Sequence, residues 1–224
     1  RRGSISPVQH STSTATGVTT SYSSGPQVTV SWTDNSGNED GFRIWRQTGT
    51  DAYQNIYETG GNTTSWTDLA VLLDTHYRYK VVAFNEEGNA GESNESIIIT
   101  PPTAPSVVSS SATATNEVHL TWSETANTAT EYRIERESDG VAWTQIDVVS
   151  AGIEEYYDTG LATESAHTYR IRAYNGYYYS DYRNGSQVTT MPQWTIATAD
   201  STGTFRQCEG TVEARKTPYI ISYD

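Results

Sequence analysis

The chain has 224 residues and a formal net charge of −13, with 35% hydrophobic and 18% charged residues. This composition excludes a disordered chain, and its negative charge disfavours binding to nucleic acid or to an anionic membrane. No run of about 18 apolar residues is present, so no transmembrane helix is predicted. The 16 tyrosines and six tryptophans favour β-strands, because aromatic side chains fit a pleated, half-buried surface.

Cys208 is the single cysteine, so the chain forms no internal disulfide and depends on its hydrophobic cores. For Cys208 itself, a buried and inert thiol is favoured over a link between molecules. The sequence opens with Arg1, Arg2 and Gly3, without an initiator methionine or an apolar signal segment. We therefore expect a processed form or an excised fragment of a longer chain.

Short strands alternate with turns from residue 15 onward. Residues 1–14 are rich in Ser and Thr and are predicted to be a linker or arm. Residues 28–32 (VTVSW) and 77–83 (YRYKVVA) show a period of two, which places apolar side chains on one face of each strand. Turn residues follow, as in residues 34–38 (DNSGN). Several short strands separated in this way predict a β-sandwich.

The same pattern occurs twice, at a spacing of 90 residues and without a gap. The coinciding pairs share their apolar, aromatic or charged character: Val28/Val118, Val30/Leu120, Trp32/Trp122, Phe42/Tyr132, Ile44/Ile134, Arg46/Arg136, Asp68/Asp158, Tyr79/Tyr169 and Ala83/Ala173. So long a register indicates one supersecondary plan that is used twice.

Residues 28–35 (VTVSWTDN), 41–46 (GFRIWR) and 75–88 (THYRYKVVAFNEEG) resemble strands B, C and F of bacterial fibronectin type III domains. The second copy is similar over residues 118–122 (VHLTW) and 169–175 (YRIRAYN). The resemblance extends over roughly residues 15–192. It implies an all-β fold of two fibronectin type III (immunoglobulin-like) sandwiches in tandem, each with strands A, B and E facing strands C, C′, F and G.

The resemblance also assigns roles to individual side chains. Trp32 and Trp122 are expected to fill the cores, and Tyr77 to be the tyrosine corner, whose hydroxyl ties strand F to the preceding loop. The second copy departs from the family here, because His167 stands where that tyrosine belongs. His167 is expected to donate a ring proton to a backbone carbonyl and to leave this corner less stable; a protonation switch is the less favoured interpretation.

Residues 100–105 (TPPTAP) join the copies, and three prolines in six residues predict a stiff, extended connection. The predicted domains are residues 15–101 and 102–192. Residues 193–224 form a short strand-forming C-terminal segment, too short for a third sandwich. They are either a domain cut short or strands that pair with a partner. The candidate assembly residues in this segment are apolar or aromatic: Tyr219, Ile220, Ile221 and Tyr223.

Basic residues fall on predicted strands C and F, which belong to one sheet. Alternation directs basic and aromatic side chains outward, together with Glu135. Arg133 is among these outward residues, and the binding candidates on this face are Arg43, Trp45, Arg78, Lys80, Phe84, Arg170, Arg172 and Tyr174. Such a face suits an anionic glycan or the acidic side of another copy. The alternative, which is favoured, is ordinary cross-strand pairing of arginine with glutamate.

Residues 175–185 (NGYYYSDYRNG) form the predicted F–G segment of the second copy. Tyrosine, serine, glycine and asparagine are typical of adaptable binding loops. The segment from Tyr179 resembles the start of strand G, so Tyr177 and Tyr178 remain as binding candidates. A purely structural role for them is the favoured alternative.

Catalytic and metal-binding patterns are weak. The loop that starts at Asp34 resembles a calcium loop but has Glu39 where glycine is required and Trp45 where glutamate is required. The histidines are dispersed, and no phosphate loop or nucleophile elbow stands out. We expect no enzyme activity, no metal and no cofactor.

These observations predict a non-catalytic structural or adhesive module at the cell surface or outside the cell, and among such modules a self-assembling filament subunit. The alternatives are a spacer or carbohydrate-associated region of a secreted polysaccharide-degrading enzyme, and a virion surface or tail-fibre component. Expected partners are other copies of the chain, other surface proteins or glycans, with no nucleic acid and no membrane insertion.

Overall fold

In the computed structural model, residues 11–106 and 108–193 are described. Their regular structure consists of β-strands, and they include no helix long and apolar enough to span a bilayer. The strands form four sheets, two in each half of the described chain. The prediction of an all-β fold with two sandwiches is therefore confirmed.

The first unit contains strands β1 to β8. Their bounds are Thr16–Ser23, Gln27–Thr33, Gly41–Thr48, Gln54–Glu58, Ser65–Asp68, His76–Asn85, Gly88–Asn89 and Ser96–Ile99. One sheet has the order β1-β2-β5, and the other the order β4-β3-β6-β7 with β8 also paired to β6. In the fibronectin type III naming, β1, β2 and β5 are strands A, B and E. They face β4, β3 and β6, which are strands C′, C and F, and strand G, which β7 and β8 form.

The second unit contains strands β9 to β16. Their bounds are Val108–Ala114, Glu117–Trp122, Glu131–Ser138, Thr144–Ser150, Glu155–Thr159, Ala166–Tyr174, Arg183–Asn184 and Val188–Thr189. The sheets have the orders β13-β10-β9 and β12-β11-β14-β15, and β16 also pairs with β14. Strand G is thus split into two short pieces in this unit.

The strand register shows that the sequence repeat is a structural repeat. Val28 lies opposite Asp68 on β5, and Val118 lies opposite Asp158 on β13. Ile44 lies opposite Val81 as Ile134 lies opposite Ile171. Residues 90 positions apart therefore occupy equivalent places in the strand register of the two units.

Each unit has its own hydrophobic core between its sheets. Trp32 is 5% exposed and packs on Phe42 at a ring-centroid distance of 5.4 Å. Trp122 is 4% exposed and packs on Tyr132 at 6.1 Å. The core positions predicted for both tryptophans are thus confirmed, and neither unit needs a disulfide to close its sandwich.

A buried Tyr–Asp–Arg network explains why three polar positions recur in the repeat. In the first unit, Asp68 accepts hydrogen bonds from the Tyr79 hydroxyl at 2.9 Å and from Arg46 Nη1 at 2.7 Å. Burial, followed by the charge of the Asp68 carboxylate, raises the pKa of Tyr79. The phenol therefore stays protonated and donates to the carboxylate.

The second unit contains the same network. Asp158 accepts from the Tyr169 hydroxyl at 2.8 Å and from Arg136 Nη1 at 2.7 Å. Both aspartates are buried, at 2% and 4% exposure, whereas the arginine side chains are partly exposed, at 19% and 28%. The network therefore ties β3 to β5, and β11 to β13, across the two sheets of each unit.

Tyr77 forms the tyrosine corner. Its side chain is 1% exposed, and its hydroxyl oxygen accepts the Leu72 N–H at 2.8 Å. The hydroxyl thus anchors the loop before β6 by satisfying a backbone donor that would otherwise be buried without a partner.

Replacing Tyr77 by phenylalanine is expected to destabilise the first unit by about 1–2 kcal/mol, because the Leu72 N–H loses its acceptor. Hydrogen exchange of first-unit amides measures this loss without interference from the second unit. Tyr57→Phe is the matched control, since Tyr57 is 47% exposed. Equal stability of the two variants would contradict the anchoring role of the Tyr77 hydroxyl.

His167 takes the corner position in the second unit by a different route from the predicted one. Instead of bonding a carbonyl directly, its Nε2 lies 2.7 Å from Ser165 Oγ, which in turn donates to the Ala162 carbonyl at 2.6 Å. Ser138 Oγ lies 2.9 Å from Nδ1. The imidazole is shorter than a phenol, so the Ser165 hydroxyl bridges the ring and the Ala162 carbonyl of the loop.

These contacts fix the tautomer of His167. Because the Ser165 hydroxyl is used as a donor, it accepts the Nε2 proton, and Nδ1 accepts the Ser138 hydroxyl proton. Burial, followed by the charge of Arg136, lowers the pKa of His167. The ring is therefore neutral at neutral pH and acts as a structural link.

Candidate functional site

The predicted binding face of the first unit is the outer surface of β3 and β6. Arg43, Trp45, Arg78, Lys80 and Phe84 all lie on these two strands. Arg43 stacks over Phe84 at 4.2 Å, and Trp45 lies opposite Lys80 in the strand register. In the structure these side chains thus lie on a common surface.

Carboxylates from neighbouring segments pair with the cations of this face. Arg43 Nε lies 2.8 Å from Glu58, Arg78 lies 2.8 Å from Glu95, and Lys80 lies 2.9 Å from Glu92. These bonds offset much of the positive charge that the predicted anion-binding role requires. That role stays a prediction.

The same face in the second unit is a ladder of alternating arginines and aromatic rings. Arg170 lies between Trp143 at 4.3 Å and Tyr182 at 3.9 Å, and Arg172 lies between Tyr182 at 4.6 Å and Tyr179 at 4.0 Å. Each guanidinium faces two rings, an arrangement that stabilises the cation electrostatically.

Arg133 completes this ladder, at 5.1 Å from the rings of both Tyr179 and Tyr174. Its guanidinium also donates to Glu131. Three of the second-unit candidates, Arg170, Arg172 and Tyr174, thus lie in one row on this face. Their packing against one another gives the ladder a structural role, and ligand binding by it stays a prediction.

Glu135 is the carboxylate at the centre of the ladder. It is 8% exposed and accepts from Arg170 Nη2 at 2.6 Å and from the Tyr182 hydroxyl at 2.5 Å, with Arg172 at 3.8 Å. Burial by itself raises the pKa of Glu135, but the hydrogen bonds from Tyr182 and Arg170 outweigh burial and hold that pKa below its ordinary value. The ladder is therefore built around a buried, ionised glutamate.

The two units meet at a hydrogen-bonded joint that centres on Asp74. Its Oδ2 accepts the backbone N–H of Asn127 at 2.6 Å and the Asn127 side-chain amide at 3.0 Å. Its Oδ1 accepts the Thr128 N–H at 2.8 Å and the Thr128 hydroxyl at 2.6 Å. One carboxylate of the first unit thus binds the loop between β10 and β11 with four hydrogen bonds.

The backbone of Asp74 is shaped for this role. Its φ angle is 57°, in the left-handed region that aspartate tolerates better than most residues. Its own N–H donates to the carbonyl of Pro101 at 2.8 Å, which ties the loop before β6 to the proline-rich connection. The carboxylate is therefore held in position by its own unit.

Two further contacts complete the joint. The buried Asn175 side chain donates to the carbonyl of Thr100 at 2.9 Å. Tyr178 packs on Tyr22 with a ring-centroid distance of 5.4 Å, whereas Tyr177 is 72% exposed beside Ile97, Ile98 and Ile99. The two tyrosines predicted to bind a ligand thus lie at the joint between the units.

The candidate assembly residues Tyr219, Ile220, Ile221 and Tyr223, and Cys208, lie outside the described residues. Within residues 11–106 and 108–193, no group of three or more His, Cys, Asp or Glu side chains is arranged to hold a metal ion.

Sequence reasoning missed the joint residues Asp74, Asn127 and Thr128. These are loop residues without periodicity, and their contacts join positions more than 50 residues apart. One signal was present, since acidic Glu164 follows Asp74 at the repeat spacing of 90 residues.

No family model matches the chain. Among curated proteins, the chain is similar to exoglucanase B of Cellulomonas fimi, with 28% identity over 186 residues. The match covers 76% of this chain and 16% of exoglucanase B. The chain therefore matches only about 16% of the length of that relative.

One of two similar solved structures supports the assignment of the fold. A segment of two fibronectin type III domains from chicken tenascin has a TM-score of 0.51 and 15% identity, covering 79% of this chain and 99% of that segment. The FN1–FN3 domains of chicken CNTN1 have a TM-score of 0.40 and 19% identity, covering 80% of this chain and 68% of theirs. Together with the strand order of both units, the tenascin match shows that this chain has the fold of two fibronectin type III domains in tandem.

Proposed function

We infer that this chain is a non-catalytic accessory region of a secreted polysaccharide-degrading protein, in which it holds neighbouring parts at a fixed separation and orientation. The observation that carries this inference is the joint at Asp74. Four hydrogen bonds to one carboxylate, with the Asn175 bond to Thr100, give the tandem a defined geometry. A spacer needs such a geometry, and a flexible linker lacks it.

Similarity to exoglucanase B motivates the choice of host protein, since the match extends over both units. Fibronectin type III domains are generally non-catalytic. The polar networks of the described residues also have structural partners, as at Asp68, Asp158 and Glu135. Secretion follows from the same inference, because polysaccharide polymers are degraded outside the cell.

The filament and adhesion hypotheses were based on a rigid tandem, on a basic face and on the strand-forming segment 193–224, and of that segment only residue 193 is described. They stay predictions. So does the virion hypothesis, which no described feature favours over the accessory role.

Replacing Asp74 by alanine is expected to uncouple the units, with a loss of about 2 kcal/mol of docking free energy, because hydrogen bonds to a charged group are stronger than neutral ones. Backbone ¹⁵N relaxation of the 224-residue chain measures this. In the unsubstituted chain both units should share one rotational correlation time. In Asp74→Ala each unit should tumble with a shorter time of its own.

Glu164→Ala is the matched control. Glu164 occupies the same register position and has a similar φ angle of 53°, so both substitutions place alanine in the left-handed region. Separate rotational correlation times for the two units of the unsubstituted chain would refute the spacer role. Release of reducing sugar from soluble or insoluble glucans by the purified chain would refute its non-catalytic role.

A further inference from the structure

An open cleft lies between the outer edge strands of the first unit. β4 is the edge of one sheet and β5 is the edge of the other, so the sandwich is open between them. The cleft has a volume of about 570 Å³, within the range of small-molecule sites (about 300–1,000 Å³).

Its walls are aromatic and apolar. Tyr57 on β4 and Trp66 on β5 stack at a ring-centroid distance of 4.9 Å and an interplanar angle of 18°. Tyr57 is 47% exposed, and Leu69 beside it is 72% exposed. The aromatic pair thus bridges the two sheets and still offers ring surface to solvent.

The floor of the cleft is polar. Arg46 donates through Nη1 to Asp68 at 2.7 Å and to the Ala70 carbonyl at 3.1 Å. Within the described part of the chain, its other N–H groups have no hydrogen-bond acceptor. A ligand in the cleft therefore meets an apolar ring surface and unused donors.

The second unit shows that the aromatic wall is not required by the fold. At the spacing of 90 residues, Arg136 and Asp158 preserve the ion pair of the floor. Tyr57, however, is replaced by Asp147, and Leu69 by Thr159. Trp66 keeps an aromatic counterpart in Tyr156, so the exposed Tyr57 and Leu69 are the part of the wall that is particular to the first unit.

We propose that this cleft binds a neutral glucan chain, with the C–H face of a pyranose ring against the exposed ring of Tyr57 beside Leu69 and with ring hydroxyls accepting from Arg46. Sugars have both an apolar face and a hydroxyl rim, which match the wall and the floor. The net charge of −13 disfavours an anionic polysaccharide. The choice of a glucan rests on the proposed function.

The test is an NMR titration of the 224-residue chain with cellohexaose. Amide shifts are expected to concentrate on β4, β5 and residues 69–70. The double variant Tyr57→Asp, Leu69→Thr gives the first unit the residues of the second at these positions. It is expected to fold and to bind at least about tenfold more weakly, which corresponds to about 1.4 kcal/mol.

Tyr157→Ala is the matched control, since Tyr157 is 48% exposed and also stacked, on His119 at 4.1 Å. It should leave binding unchanged. Amide shifts outside the cleft, or equal cellohexaose affinity of the double variant and the unsubstituted chain, would overturn the proposal. So would an affinity for an oligogalacturonate equal to that for cellohexaose, or cleft shifts that depend on protein concentration alone. The relaxation measurement on Asp74 is independent, so failure here leaves the spacer role standing.

Discussion

Replacing Asp68 by alanine is expected to destabilise the first unit by about 3–5 kcal/mol and to leave the second unit folded. The substitution removes the acceptor of Tyr79 and the counter-ion of Arg46. Removing one partner of a buried ion pair leaves an uncompensated charge, which has a cost of this size. A domain of about 90 residues has a total stability of about 5–13 kcal/mol, so the loss is a large fraction of it.

Asp158→Ala should destabilise the second unit by a similar amount and leave the first unit folded, because Tyr169 and Arg136 contact Asp158 in the same way. Denaturant unfolding followed by hydrogen exchange separates the two units. Asp51→Ala, at an exposed acidic residue, is the control for loss of a surface charge. A loss below about 1 kcal/mol in Asp68→Ala would refute a stabilising network, since exposed pairs already contribute that much.

Glu135→Ala is expected to destabilise the second unit by about 3 kcal/mol. Arg170 and Arg172 lie between aromatic rings with Glu135 as their common counter-ion, and among the described residues no second carboxylate forms an ion pair with either arginine. The buried charges then remain without compensation. Glu131→Ala removes a more exposed partner of Arg133 and should cost less than about 1 kcal/mol.

Acid titration gives a second measure of the same group. The pKa of Glu135 is lower in the folded state than in the unfolded state, so the unfolded state binds the proton more readily. The stabilisation is complete above the unfolded value of about 4.3 and is lost as the pH falls through the lower folded value. Stability of the second unit measured between about pH 5 and pH 2 should show this loss, and Glu135→Ala should show less of it.

The cores were predictable because they depend on local periodicity and on the repeat, whereas the tyrosine corner followed from the resemblance to fibronectin type III domains. Trp32 and Tyr77 occupy inward positions of strands whose alternation is evident in the sequence. The recurrence of Asp68 and Tyr79 at a spacing of 90 residues also pointed to a common environment, which the Tyr–Asp–Arg network explains.

The joint and the cleft were not predictable, because both depend on how loops and edges are placed in space. Asp74 reaches Asn127 only through its left-handed backbone and the path of the proline-rich connection. Tyr57 and Trp66 lie on strands of different sheets, so no pairing rule within one sheet brings them together. The direct carbonyl bond predicted for His167 was wrong because a serine hydroxyl lies between the two groups.

The acidic residue in the left-handed region occurs in both units, as Asp74 and as Glu164. In the first unit it accepts from donors of the second, so the contact joins two different surfaces, one at the tail of a unit and one at the head of the next. Such a heterologous contact has a direction and no two-fold axis. Units joined by this contact would repeat one rise and one rotation, which the Asp74 carboxylate sets together with the Asn175–Thr100 hydrogen bond and the Tyr22–Tyr178 contact.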